Sequence, residues 1–152
     1  MKGVWPADDT AYMKLIYKLP THKYPNGFHL LATKIHPVGD FDTDTARLPD
    51  EPLRIYQTAH GYRVFFTGRY NPELNSMCDE LLEMGGDPQY SKFVKMRGYY
   101  GVRVDPKTEF NSDGIAVTRF LSETAPGLPE WNEFIQTHDR MTNAFDLSAI
   151  LL

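Results

Sequence analysis

Hydrophobic positions along this chain come in short bursts, each closed off by proline, glycine or a cluster of charge. Residues 28–35 (FHLLATKI) alternate partly and read as a strand, while residues 10–19 (TAYMKLIYKL) suit either a strand or a short helix. The stretch 53–67 (LRIYQTAHGYRVFFT) is rich in β-branched and aromatic residues, and His60-Gly61 marks a turn or bulge within it. This predicts a hairpin. The pattern changes to helical spacing at 71–84 (NPELNSMCDELLEM). Here Asn71 is the expected cap, Pro72 the first helical residue and Gly85-Gly86 the stop, with Leu74, Met77, Cys78, Leu81, Leu82 and Met84 forming the apolar stripe. Asp87-Pro88 restarts the chain into a second short helix over 88–96. Residues 99–105 and 115–121 read as strands, separated by a turn over 106–114. A last helix is expected over 129–145, with Trp131, Phe134, Ile135 and Met141 facing inward.

Strands, two middle helices, more strands and a terminal helix make an α+β fold. The expected form is a mixed or antiparallel sheet with helices packed mainly on one face. At 152 residues the chain is most simply a single domain, long enough to bury about two-thirds of its unfolded surface. One cysteine, Cys78, excludes an intramolecular disulfide framework and sits on the apolar face of the first helix, a core position. No apolar run is long enough to span a bilayer and no secretory pattern opens the chain, so the expectation is a cytoplasmic protein without a membrane partner. Oligomeric state is not legible.

The formal charge of −4 excludes a uniformly basic nucleic-acid binder, but its distribution is uneven. Residues 37–52 carry five acids and one base, whereas residues 89–107 carry five bases and one acid. The two segments suit one another as partners, or suit an acidic metal pocket beside a basic phosphate track.

The acidic segment is densest at Asp40-Phe41-Asp42-Thr43-Asp44, and Pro49 and Pro52 argue against regular structure around it. Carboxylates this close repel unless water, a cation or a base neutralises them. In an extended segment Asp40 and Asp42 share one side, and such a pair suits Mg²⁺ or Mn²⁺. A calcium hand fits poorly, since Thr45 stands where its loop needs glycine and Pro49 interrupts it. A solvated acidic loop remains the simple alternative. Around the hairpin turn, Thr58, His60, Gly61 and Arg63 offer a hydroxyl, an imidazole, backbone amides and a guanidinium to a phosphate. Equally, Arg63 can pair with the acidic loop. Lys92, Lys95, Arg97 and Arg103 interleave with Tyr90, Phe93, Tyr99 and Tyr100, which fits either a single-strand track of cations and stacking rings or an ordinary amphipathic element. Arg103 and Asp105 share one face of the strand opposite Val102 and Val104, and an Asp before Pro106 is also a common turn former. His138-Asp139 lacks a nearby nucleophile, and no Walker loop, CxxC pair, HExxH or GxSxG is present.

Taken in order, a strand leading to Asp-Phe-Asp, then Thr-x-x-Gly-x-Arg entering an apolar strand, then Val-Arg-Val-Asp-Pro resembles the three-motif layout of the archaeo-eukaryotic primase (primase-polymerase) superfamily. The resemblance covers roughly residues 28–105. It implies that Asp40, Asp42 and Asp105 are catalytic and hold two divalent metals, and that Thr58, His60 and Arg63 hold a nucleotide triphosphate. The activity implied is metal-dependent nucleotidyl transfer in DNA replication, or a reduced relative that binds nucleotide or nucleic acid. Arg63 stands where the family has its nucleotide-binding histidine, and Pro37 and Gly39 interrupt the strand ahead of the paired Asp. The alternative from a different class is a small non-catalytic binding or interaction domain whose acidic loop is solvated.

Overall fold

A computed structural model describes residues 14–18, 29–42, 47–58, 61–104 and 118–142. In chain order the elements are β1 (Lys14–Lys18), β2 (His29–Thr33), β3 (Val38–Phe41), β4 (Arg54–Gln57), β5 (Tyr62–Phe65), α1 (Leu74–Glu83), α2 (Pro88–Arg97), β6 (Tyr100–Arg103), β7 (Arg119–Glu123), a 3₁₀ turn (Pro129–Trp131) and α3 (Asn132–Thr142). The fold is α+β, and the described pairings are antiparallel. The strands divide between two sheets, one ordered β1-β2-β6 and the other β3-β5-β4-β7. No helix among the described residues is long and apolar enough to cross a membrane.

The chain passes from the first sheet to the second between Thr33 and Val38. The Thr33 hydroxyl shapes that bend by accepting the backbone N–H groups of Ile35 and His36, each at 3.2 Å. His36 is fully buried there, its ring stacked on Phe134 at 5.0 Å. Its Nε2–H donates to the Glu130 carbonyl at 2.9 Å and its Nδ1 takes the Thr33 hydroxyl at 2.8 Å. Burial lowers its pKa, so it packs as a neutral aromatic.

The hairpin expected over 53–67 is present as β4 and β5, closed by the Thr58 N–H on the Gly61 carbonyl at 2.9 Å. In the acidic segment the expectation of irregular structure fails at its start. β3 runs through Gly39 and Asp40, pairing Val38 with Phe65 and Asp40 with Arg63. Gly39 does not interrupt this strand; it admits α1. A Cβ at that position would lie 2.8 Å from Leu81 Cδ2 and 3.2 Å from a Phe66 ring carbon, so the missing side chain gives the helix room to approach.

Both middle helices form, with one start displaced. Asn71 does not cap α1. It takes a left-handed φ of 54° while its N–H donates to the Ile35 carbonyl at 2.7 Å. Glu73 caps instead, its carboxylate accepting from the N–H groups of Asn75 and Ser76, each at 2.9 Å. For α2, Asp87 caps Gln89 at 3.0 Å, Pro88 opens the first turn and Gly98 closes the helix at φ 80°. The Asp87 N–H also donates to the Asp40 carbonyl at 2.8 Å, tying the start of α2 to the edge of β3.

Helix α3 packs on the face of the second sheet that carries Arg63, Phe65 and Tyr56. Trp131, Phe134 and His138 lie with ring centroids 5.3, 5.2 and 4.8 Å from Phe65. Met141, expected inward, is exposed, and the buried stripe runs through Trp131, Phe134, His138 and Thr142. A single core joins both sheets and all three helices, including Leu31, Val102, Val64, Leu81, Val94 and Phe134. Cys78 is in it, as its helix face foretold.

Candidate functional site at the Asp40 strand edge

Strand register builds the site. Asp40 stands opposite Arg63, Arg63 opposite Tyr56, and Tyr56 opposite Phe120, so one row of side chains crosses all four strands of the second sheet on one face. Asp40 occupies the β3 edge of that row and is half-buried; Asp42, two residues on, is exposed.

The hairpin turn reaches the same place because of Gly61. A Cβ there would land on the Phe41 carbonyl oxygen and lie 2.8 Å from the Asp42 carbonyl carbon. Only glycine permits this backbone-on-backbone approach. Thr58, half-buried, lies across the turn from it, and His60 falls outside the described residues. The end of β6 is drawn in by Arg63, whose Nη2 donates to the Arg103 carbonyl at 2.9 Å. Asp105 follows two residues later and lies outside the described residues. Among the described residues no three His, Cys, Asp or Glu side chains gather in a metal-sized group. Of the three carboxylates expected to bind metal, Asp40 and Asp42 are described and Asp105 is not.

Arg63 differs from its expected role. Its guanidinium is buried and committed inside the protein: Nη1 donates to His138 Nε2 at 2.9 Å and Nη2 to Arg103. Burial presses its pKa down and the facing Asp40 opposes that, and a guanidinium starts so high that it keeps its charge. Because Arg63 has only donors, His138 Nε2 is an acceptor and Nδ1 carries the proton, which it donates to Asp139 Oδ1 at 2.9 Å. Asp139 also accepts the Tyr56 hydroxyl and Arg54 Nη2, the latter at 2.8 Å, while Arg54 Nε donates to the Tyr56 oxygen at 2.6 Å. Arg54 then reaches Glu123 at 3.2 Å and lies over the Phe120 ring at 4.3 Å. Burial pushes the Tyr56 hydroxyl far above its ordinary range, with Asp139 adding to it. His138 is driven down to about 4, first by burial. It is therefore a neutral connector whose second nitrogen is already occupied, and among the described residues no nucleophile touches its ring.

Sequence reasoning passed over this network. The signal was present, since His138 falls four residues after Phe134 on the inward stripe of α3. Other expected residues divide. Lys92 and Lys95 are exposed on α2, and Lys95 meets Asp79 at 2.6 Å. Arg97 is half-buried, folded over β6 with its Cζ 5.0 Å from the Tyr99 ring. Arg103 is half-buried on β6. In the acidic segment Glu51 is claimed by Arg69, which grips it through two 2.9 Å bonds and also reaches Glu80 at 2.9 Å. Comparison with protein-family models, curated proteins and solved structures finds no match to this chain.

Proposed function

We propose that the chain carries a primase-polymerase-like nucleotide site, in which Asp40 and Asp42, completed by Asp105, hold Mg²⁺ or Mn²⁺ for nucleotidyl transfer. One observation supports this reading above the others. Gly61 seats the hairpin motif on the backbone of Phe41 and Asp42, while Arg63 grips the carbonyl of Arg103, two residues ahead of Asp105. Segments far apart in sequence are thereby held at one strand edge, which two-metal chemistry requires of its carboxylates. In this reading the metals neutralise triphosphate charge and Arg63 supports the strands from beneath. The exposed rim of α2 adds a route for a single strand. Phe93 and Met96 are 43% and 71% exposed beside Lys92 and Lys95, offering a stacking ring and cations.

Titration calorimetry with Mn²⁺ and a nucleoside triphosphate tests the reading. The wild-type chain should bind Mn²⁺ saturably, and Asp42→Ala, an exposed change that spares the core, should lower the affinity at least about tenfold. Unchanged binding in the variant, or none in the wild type, would remove its basis.

A second reading, nucleotide or nucleic-acid binding without transfer, is favoured by Arg63. Its donors are committed to His138 and Arg103, so the expected triphosphate ligand of the hairpin motif is withdrawn. Template-directed primer extension separates the two: incorporation supports transfer, and Mn²⁺-dependent nucleotide binding without incorporation supports the second reading.

A further inference from the structure

Buried polar atoms in folded proteins nearly always have partners, and an orphan asks for an explanation. Five buried side-chain atoms among the described residues have none: Thr67 Oγ1, Tyr90 OH, Ser91 Oγ, Arg97 Nε and Tyr100 OH. Four of the five belong to α2 or to the first residue of β6. Tyr90 OH and Arg97 Nε–H can both donate, and they stand seven residues apart, about two turns along one face of α2. The Tyr90 hydroxyl lies within electrostatic reach of Arg97, Tyr100, Arg63 and Asp40. Glycine at 101 makes room for the guanidinium, because a Cβ there would come within 3.0 Å of Arg97 Nη2 and 3.2 Å of its Cζ. Arg97 as a whole is only half-buried, which leaves a way in from solvent. The charges acting on the Tyr90 hydroxyl include the guanidinium groups of Arg63 and Arg97 and the carboxylate of Asp40. The unmet requirement is an acceptor carrying negative charge.

We propose that Tyr90 OH and Arg97 Nε–H, backed by the charge of Arg63, form a subsite for a phosphate-type oxyanion beside Asp40. A phosphate has oxygens enough to accept from both donors, and guanidinium recognises this class of anion well. The subsite goes beyond the metal reading and does not depend on it, since every group in it belongs to α2 or β5.

The test is a ¹H–¹⁵N NMR titration of the full chain with inorganic phosphate at constant ionic strength, with EDTA present. Saturable shifts at residues of α2 and β6 are expected. Tyr90→Phe and Arg97→Met should each weaken binding about tenfold or more, as loss of a hydrogen bond to a charged partner does. Arg140→Met, exposed on α3, should change it less than about twofold. Tyr90→Phe should also raise the melting temperature in phosphate-free buffer, because it removes a hydroxyl that has no partner, and this readout holds even if Arg97→Met folds poorly. A parallel arm uses a nucleoside triphosphate in EDTA. Tighter binding than phosphate identifies a nucleotide as the source of the anion, and equal binding identifies free phosphate. No saturable shift, equal losses in Arg140→Met and Arg97→Met, or a lowered melting temperature for Tyr90→Phe overturns the subsite. Because no divalent metal is present, failure of Mn²⁺ binding leaves this result standing.

Discussion

Two polar clusters flank Arg63, and they differ in one respect. Around His138 the donors meet acceptors: Arg63 donates to His138, His138 to Asp139, Tyr56 to Asp139, and Arg54 to both Tyr56 and Asp139. Around Tyr90, on the α2 side, the hydroxyl of Tyr90 and the Nε of Arg97 are buried with nothing to receive them. Satisfied buried networks rigidify and specify a fold, and incomplete ones are destabilising unless something else completes them. The closed cluster therefore belongs to the architecture, locking α3 onto the second sheet. The open one has the character of a place built for a ligand. Arg63 divides them, with its hydrogen bonds on the closed side and its charge felt on the other.

The strongest challenge to this division is removal of Arg63 itself. Arg63→Met deletes a buried guanidinium and leaves His138 Nε2 and the Arg103 carbonyl without their donor and Asp40 without its facing charge. Breaking a buried, charged network from one side costs about 3–5 kcal/mol. Urea denaturation should register that loss. A change below about 1 kcal/mol would mean that the closed cluster is not what holds α3 to the sheet.

Next in size is a dependence on pH. The unfolded chain protonates His138 near its ordinary 6.5, whereas the folded chain resists protonation until about 4. Within that window the unfolded state binds more protons, so stability falls as pH drops and is complete above the window. The total is about 3 kcal/mol for a group this deeply buried. His36, also lowered by burial, adds in the same direction. Urea midpoints compared between about pH 7 and about pH 4 should differ markedly in the wild type and much less in His138→Gln. Equal pH slopes in the two proteins would show that His138 does not carry the effect.

How much of this was legible in the chain depends on how local the cause is. The hairpin and α2 with its Asp87-Pro88 start follow from chemistry within a few residues, and they were readable. Asn71 was misread because a left-handed asparagine and a cap look alike in sequence, and the distant Ile35 carbonyl decides between them. Gly39 was read as an interruption because its reason, Leu81, lies on another element. The inward position of His138 was signalled by its spacing from Phe134, but its partners were not readable for the same reason: Arg63 and Tyr56 stand 75 and 83 residues from theirs. At the candidate site, the period-two relation of Asp40 and Asp42 was readable in the acidic segment. The internal commitment of Arg63 was not, since it requires knowing that β5 faces α3.

The finest test of the comparison applies one chemical change to both clusters. Tyr56→Phe and Tyr90→Phe each delete a single buried phenolic oxygen and keep the ring. In the closed cluster that oxygen accepts from Arg54 and donates to Asp139, so its loss strands two charged groups and should lower stability by about 1–3 kcal/mol. In the open cluster nothing is stranded. Removing the Tyr90 hydroxyl relieves a desolvated group, and stability should rise by up to about 1 kcal/mol in the absence of ligand. Opposite signs from the same substitution, measured in one buffer by urea denaturation, separate a network that completes the fold from one that awaits an anion. Losses of equal size at both positions would mean that the Tyr90 hydroxyl has a permanent partner, and the two clusters would then be of one kind.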